Sequence, residues 1–277
     1  MLTKLSSTVM VLTLVAGTIL GGAGTAAAAG SRALWIWEGP TETAIDFAVG
    51  HGITDLYLHA PPGFSHNEMY RTFIDQAHAA GIQVLATAGH PSWTTDSRTW
   101  TDWVDEVVTF GGFDAIVFDV EPHTLPQWNS NKRKRLIRSF VDSLTSASLR
   151  AGSLPTYTTV PFWWDDPAFR TRRQFLVEQV LANSDGIIVM AYRDHASGPD
   201  GIIELSQTEV DLAASLNKQI VISVETGETN LDKVSFFEEG STAMEAELSI
   251  VESHFASVTS YAGISIHHYG SYLSMNQ

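Results

Sequence analysis

Short apolar segments recur along the chain and alternate with longer amphipathic segments of helical period. The apolar segments are rich in β-branched residues, which is typical of strands buried on both faces of a sheet. The pattern predicts strands at residues 33–37, 55–59, 83–88, 115–120, 156–160, 186–191, 219–224 and 262–267. It predicts helices at residues 41–49, 68–80, 96–110, 131–150, 170–182, 204–216 and 242–255. Glycine follows several of these helices, as expected at a helix end.

Strands that alternate with helices in this way, over about 250 residues, are typical of a (β/α)8 barrel. Only residues 270–277 follow the last strand, so we expect the eighth helix to be truncated or missing. An open doubly wound sheet is the alternative, and it would need a glycine-rich phosphate turn after an early strand. The first strand is followed by Glu38-Gly39-Pro40, which has no such motif. The sequence therefore predicts an α/β fold of the TIM-barrel type.

Residues 1–29 are predicted to be a secretory signal peptide. Lys4 provides a positive start, residues 9–20 form a short apolar run, and four alanines at 26–29 offer a cleavage site. The apolar run is shorter than a membrane span, and a lipoprotein anchor would need a cysteine, which the chain lacks. We expect a freely secreted, extracellular protein with a single catalytic domain over residues 30–277 and no membrane contact after cleavage.

The charge of the chain argues against nucleic acid as a partner. The formal net charge is −15, and an acidic surface repels phosphate backbones. The one basic run, at residues 132–135, falls on a predicted amphipathic helix whose apolar positions include Leu136, Ile137 and Phe140. We interpret this run as a solvated helix face.

The fourth predicted strand ends in two carboxylates. Side chains alternate along a strand, so Val117, Asp119 and Glu121 share one face. Buried acids cost free energy unless they are paired or carry chemistry. Since the active sites of such barrels lie at the carboxyl ends of the strands, Asp119 and Glu121 are candidate catalytic residues. A structural ion pair or a helix cap is the alternative.

The other strand ends supply aromatic rings, histidines and further acids. A sugar ring stacks its apolar face on an aromatic side chain, while its hydroxyls need polar partners. The candidate substrate-binding residues are Trp37, His59, His90, Trp93, His123, Trp163, Trp164, Arg193, His268 and Tyr269. For Trp163 and Trp164, packing in the core or in a lid is the alternative. The composition of these strand ends favours glycoside hydrolysis on a polysaccharide or oligosaccharide, with no cofactor.

Residues 114–121 resemble the strand-four signature of the glycoside hydrolase family 18 chitinases, Asp-Gly-x-Asp-x-Asp-x-Glu. Asp114, Asp119 and Glu121 match its first, third and last acids, while Ala115 and Val117 replace its glycine and second acid. The resemblance implies that Glu121 is the general acid and Asp119 its partner. In that family the acetamido group of the substrate attacks, so no protein nucleophile is needed.

Residues 190–192, Met-Ala-Tyr, are similar to the strand-six motif of the same family, Met-x-Tyr-Asp. Arg193 stands in place of the final acid, and His268 and Tyr269 stand where that family carries a tryptophan on strand eight. The resemblance implies that Tyr192 donates a hydrogen bond to the reacting sugar.

The chain also resembles the clan A retaining glycosidases, which carry catalytic glutamates at the ends of strands four and seven. Here Glu121-Pro122 and residues 224–227, Val-Glu-Thr-Gly, occupy those places. This resemblance implies Glu121 as acid/base and Glu225 as nucleophile. Glu121, Asp119, Glu225 and Tyr192 are thus the candidate catalytic residues, and both resemblances give Glu121 the same role.

Two other functions remain open at this point. A metal-dependent barrel hydrolase would gather strand-end histidines and acids around an ion. The candidate ligands are His59, His90, His123, His267, His268, Asp119 and Glu225. Their spacing gives no metal motif, and the adjacent His267 and His268 point to opposite faces of a strand, so at most one enters the barrel. A non-catalytic carbohydrate-binding barrel is the other alternative.

Overall fold

Eight parallel strands form one closed barrel, with each strand paired to the next and β8 paired to β1. The computed structural model describes residues 30–275, so the predicted signal peptide lies outside the described residues. The strands are β1 (Ser31–Ile36), β2 (Asp55–His59), β3 (Gln83–Ala88), β4 (Ala115–Phe118), β5 (Thr156–Pro161), β6 (Gly186–Met190), β7 (Gln219–Glu225) and β8 (Tyr261–His267). The predicted (β/α)8 barrel is confirmed.

A helix follows every strand and packs on the outside of the barrel. The helices are α1 (Glu42–Gly50), α2 (Met69–Ala79), α3 (Ser97–Phe110), α4 (Arg133–Ala151), α5 (Leu176–Leu181), α6 (Ile202–Leu216), α7 (Ser241–Phe255) and α8 (Tyr269–Ser274). The last helix has six residues, as expected for a truncated element. None of the helices within residues 30–275 has the length and apolar character needed to cross a bilayer.

The fifth helix differs most from its prediction at residues 170–182. It begins only at Leu176, because Arg172 and Arg173 adopt positive φ angles of 53° and 66°. Positive φ interrupts a right-handed helix, and Thr171 and Gln174 instead form an isolated bridge. The prediction was wrong here because the spacing of apolar residues carries no information about the sign of the φ angle.

Two cores result from the alternation of side chains along the strands. Inside the barrel, Trp35, Tyr57, Val117, Ile188 and Val221 belong to a small buried cluster. Outside it, the opposite strand faces and the helices form a larger core. The side chains that point into the barrel are therefore followed, past the strand ends, by the residues that line the barrel mouth.

The backbones at the ends of β3 and β4 approach each other closely. A Cβ atom on Gly89 would lie 1.8 Å from the carbonyl oxygen of Asp119, so only glycine fits there. The Asp119 amide also donates to the Ala88 carbonyl over 3.1 Å. Strand β4 ends at Phe118, two residues earlier than predicted. Asp119 is therefore held at the point where the hydrogen bonding between β3 and β4 ends.

Candidate active site

Asp119 directly follows β4, and its side chain points into the barrel mouth, where the neighbouring strand ends largely enclose it. Its Oδ1 accepts a hydrogen bond of 2.8 Å from the Thr159 hydroxyl on β5. Burial raises the pKa of Asp119, while the hydrogen bond from Thr159 opposes that rise. The carboxyl group therefore holds its proton more tightly than an exposed aspartate.

Glu121 lies two residues further along the same row and is more accessible, with 34 % of its side chain exposed. Burial, and then the charge of Asp119, raise the pKa of Glu121 to about 7. The nearest basic group is His123, whose Nε2 lies 3.5 Å from the Glu121 Oε1. Burial lowers the pKa of His123 to about 4, so this ring brings no positive charge to Glu121 at neutral pH.

Glu225 ends β7 and is held by three N–H donors. Its Oε1 accepts from the backbone amides of Thr226 (2.9 Å) and Gly227 (2.6 Å), and its Oε2 lies 2.8 Å from His267 Nδ1. Burial favours protonation, but the hydrogen bond from His267 and those from the two backbone amides lower the pKa of Glu225 below its ordinary value. Glu225 therefore loses its proton at a lower pH than Glu121.

Tyr192 follows β6 and faces all three carboxyl groups. Burial, followed by the charges of Glu225, Asp119 and Glu121, raises the pKa of Tyr192 well above its ordinary value. Its hydroxyl remains neutral and can donate a hydrogen bond. The structure thus brings together the four candidate catalytic residues at the carboxyl end of the barrel.

His267 is the residue at this site to which the sequence assigned no catalytic role. It ends β8 and lies opposite Glu225 in the strand register, and its Nε2 accepts from the Trp37 indole over 2.8 Å. Trp37 also contacts the ring of His59, with centroids 5.2 Å apart. The alternation of side chains along β8 was the available signal, since it points His267, and not His268, into the barrel.

An aromatic group borders the site on the β4 and β5 side. His123 packs against Trp163, with ring centroids 5.3 Å apart, and Trp163 is half-buried at the rim. The adjacent Trp164 is 0 % exposed and packs against Phe140 of α4. Trp164 is therefore a core residue, which corrects its prediction as a substrate-binding residue.

Trp93 requires the same correction. It is 4 % exposed and packs against Trp100 and Trp103 of α3, in the layer between the barrel and its helices. Neither face of its ring is free to stack on a sugar.

Arg193 and Tyr269 are also structural. Arg193 is buried, donates to the Tyr192 carbonyl and pairs with Asp200 at 2.6 Å, so both terminal nitrogens of its guanidinium are already bonded within the protein. The Tyr269 hydroxyl donates to Thr43 over 3.0 Å from a buried position. Both predictions of substrate contact are wrong because these polar groups are paired within the protein.

The remaining predicted histidines have separate positions. His59 is half-buried beside Trp37, and burial lowers its pKa. His90 is exposed, and its Nδ1 accepts from the Ser92 amide over 3.2 Å at the start of a 3-10 turn. His268 is half-buried, with Nδ1 3.6 Å from Glu38, and burial lowers its pKa. No group of three histidine or acidic side chains within residues 30–275 is arranged to hold a metal ion.

The arrangement has the elements of acid and nucleophilic catalysis. A carboxylic acid that keeps its proton near neutral pH lies in the same mouth as a carboxylate that loses its proton early. Pairs of acids whose environments separate their pKa values in this way can divide the roles of proton donor and anion.

Solved structures of similar fold include chitinases and spore cortex-lytic enzymes. A chitinase from Rhizomucor miehei matches with a TM-score of 0.56 at 13 % identity, over 88 % of this chain and 98 % of that one. A family 18 chitinase from Cycas revoluta in complex with (GlcNAc)3 matches with a TM-score of 0.56 at 12 % identity, over 88 % and 96 %. The spore cortex-lytic enzyme SleL of Bacillus megaterium matches with a TM-score of 0.55 at 11 % identity, over 87 % and 71 %.

Comparison with protein-family models and with curated proteins found no match. At these identities the structural likeness shows the fold. The resemblance of residues 114–121 to the family 18 chitinases is therefore confirmed for the (β/α)8 architecture. Asp114 of that motif lies away from the mouth, at the opposite end of β4, where it accepts from the Val84 amide over 2.7 Å and pairs with His78.

Proposed function

We propose that this protein is a secreted glycoside hydrolase that cleaves O-glycosidic bonds in an extracellular or cell-wall polysaccharide. The observation that carries the proposal is that Glu121 and Glu225 lie around Tyr192 in one barrel mouth, in surroundings that raise the pKa of Glu121 and lower that of Glu225. Hydrolysis of a glycosidic bond needs a carboxylic acid on the leaving oxygen and a negative charge or a base near the anomeric carbon.

Glu121 is the general acid in this proposal. It gives its proton to the leaving glycosidic oxygen as the bond to the anomeric carbon breaks, and the Glu225 carboxylate forms a bond to that carbon. In the second step Glu121, now ionised, takes a proton from water, and the resulting hydroxide displaces Glu225 and restores both groups. The half-buried Asp119 supports the acid role, since its charge raises the pKa of Glu121.

Substrate assistance is the competing mechanism for the same reaction. The structural likeness to chitinases, one of them in complex with (GlcNAc)3, favours N-acetylated glycans as test substrates. With such a substrate the acetamido oxygen would attack the anomeric carbon, Asp119 would orient the acetamido group, and Glu225 would only supply negative charge. Both mechanisms need Glu121 as the acid.

Secretion rests on the predicted signal peptide and on the acidic composition. Residues 1–29 contain one cation and no acid, so their removal makes the chain more acidic still. The absence of cysteine leaves extracellular oxidation without a thiol to act on.

A product screen tests the proposed function. Purified protein without residues 1–29 is incubated with a panel of polysaccharides that includes chitin, chitosan, peptidoglycan and neutral glucans. Released ends are counted, and the anomer formed first is identified by NMR. Glu121→Gln is the matched control, and a chelator arm tests the metal alternative. Product from the wild type alone supports the proposal, whereas product from both proteins, or from neither, contradicts it.

A further inference from the structure

Trp37 and His267 form a hydrogen bond whose direction is fixed by chemistry. The indole nitrogen of tryptophan can only donate, so His267 Nε2, at 2.8 Å from it, must be the acceptor. A neutral imidazole carries one proton, which in this case has to lie on Nδ1. Trp37 therefore selects one of the two neutral tautomers of His267.

The selected tautomer donates directly to Glu225. His267 Nδ1 lies 2.8 Å from the Glu225 Oε2, and this oxygen is the one that receives no backbone amide. In the other tautomer, an unprotonated Nδ1 would face a carboxylate, and two acceptors would oppose each other across a half-buried gap. Only 13 % of the Glu225 side chain is exposed, so water could compensate little of that loss.

We propose that Trp37 and His267 are positioning residues that hold Glu225 as an oriented carboxylate, with Trp37 acting through the tautomer of His267. The inference rests on the proposed function, in which Glu225 is the anion at the reacting carbon. It assigns a role to the first and eighth strands, whose ends otherwise contribute no reacting group.

Other titratable groups face this arrangement from the neighbouring strand ends and contribute to any pH dependence. They are Asp119, Glu121, His59, Tyr192, Glu38 and His268. None of them lies between Trp37 and His267, because the two nitrogen atoms are in direct contact. A substitution that removes only the indole N–H therefore acts directly on this hydrogen bond, and on the other titratable groups only through it.

Trp37→Phe removes the donor and keeps an aromatic ring. Nitrogen NMR of protein labelled with 15N-histidine reports the tautomer directly, without any need for turnover. We expect the proton of His267 on Nδ1 alone in the wild type. In the variant we expect a measurable share of rings with Nε2 also protonated, because Nε2 no longer accepts from the indole. Trp35→Phe is the matched control. Trp35 packs against both Trp37 and His267, with ring centroids 5.5 and 5.8 Å away, but its indole N–H donates to Ser265. The control should keep the wild-type tautomer.

Kinetics supply a second readout on any glycan that the product screen identifies. Loss of the His267 donor to the Glu225 carboxylate should move the acidic limb of kcat/KM upward by about one pH unit in His267→Leu and lower kcat about tenfold or more. Trp37→Phe should move the limb less, because His267 still donates to Glu225. His267→Asn should restore most of the rate, because its amide can still donate from near the position of Nδ1.

Two results would overturn the positioning role. One is a wild-type His267 with its proton on Nε2, and the other is an unchanged acidic limb in both Trp37→Phe and His267→Leu. Failure of the proposed function would look different, because no glycan would be cleaved while the nitrogen spectra still identified the tautomer. If Trp37→Phe does not fold, the wild-type spectrum and the His267 variants decide the question.

Discussion

The hydroxyl of Thr159 donates a 2.8 Å hydrogen bond to the carboxylate of Asp119, from the neighbouring strand of the barrel. This is the one side-chain hydrogen bond that Asp119 accepts within residues 30–275, and it lowers a pKa that burial raises. The charge on Asp119 in turn raises the pKa of Glu121. A threonine that touches no reacting atom thus influences the proposed general acid through one intermediate.

Thr159→Val should move the basic limb of the pH profile to lower pH. Without the hydroxyl, Asp119 keeps its proton to higher pH, so it carries less negative charge and Glu121 releases its proton more easily. We expect a shift of roughly half a pH unit or more in kcat/KM. Thr158→Val is the control, since the Thr158 hydroxyl lies on the other face and bonds to Ser184 at 2.8 Å. Equal profiles for the two variants would contradict the coupling.

Glu121→Gln should abolish most turnover and leave the fold intact. The amide is nearly the same size but cannot give up a proton, so we expect kcat to fall by about 10² or more. In the wild type, kcat/KM should decline above about pH 7, where Glu121 loses its proton. Glu68→Gln, on the exposed residue before α2, is the charge-matched control. Near wild-type turnover of Glu121→Gln would remove the catalytic proposal.

The sequence predicted the strands of this barrel well because buried parallel strands have a strong and simple pattern. Alternation along β4 also placed Asp119 and Glu121 on one inward row, and this required no knowledge of neighbouring strands. The alternation of side chains along one strand was therefore sufficient to identify Glu121 as the proposed general acid.

The partners of these residues depend on register between strands, which the sequence does not contain. Glu225 pairs with His267 only because β7 and β8 align as they do, after an irregularity at Ile220 and Val221. A shift of one residue would have turned the His267 side chain away from the barrel. The hydrogen bond between Glu225 and His267 could therefore not be predicted.

The tryptophans were misassigned for a different reason. Once a strand ends, the alternation that predicts the direction of a side chain ends with it. Trp93 and Trp164 lie in the segments after β3 and β5, where the chain turns outward and a large apolar ring fills the layer under the helices. A position after a strand end is compatible with the mouth or with the core, and only packing distinguishes them.

Glu209 makes the stability of the protein depend on pH. It lies on α6 with 0 % exposure, neither carboxylate oxygen has a hydrogen-bond partner, and burial followed by the charge of Asp165 raises its pKa to about 8. The folded state thus binds a proton that the unfolded state releases near pH 4.5, so the stabilising effect of that proton is lost as pH rises between these values. This group alone would lower the free energy of unfolding by up to about 1.4 kcal/mol per pH unit.

Glu209→Gln should remove that dependence, since an amide does not ionise. Chemical denaturation at pH 5, 6 and 7 measures the free energy of unfolding, and the advantage of the variant over the wild type should grow at each step. Asp211→Asn, an exposed acid on the same helix, is the control and should follow the wild-type slope. Parallel slopes for Glu209→Gln and the wild type would show that Glu209 is not a neutral buried acid.

Glu225→Ala decides between the two proposed mechanisms. If Glu225 forms the bond to the anomeric carbon, its loss should abolish hydrolysis, and azide should restore turnover by filling the space left and attacking the same carbon. The product would then be a glycosyl azide with inverted configuration, which NMR identifies directly.

Substrate assistance leads to the opposite result on an N-acetylated glycan. The acetamido oxygen would still attack, so Glu225→Ala should keep measurable activity, azide should have no effect, and the first product should retain the configuration of the substrate. Asp119→Asn would then be the more damaging change, because the Asp119 carboxyl would orient the acetamido group. Glu225 is held by three N–H donors that favour a charged carboxylate at the mouth, and for this reason we expect azide rescue.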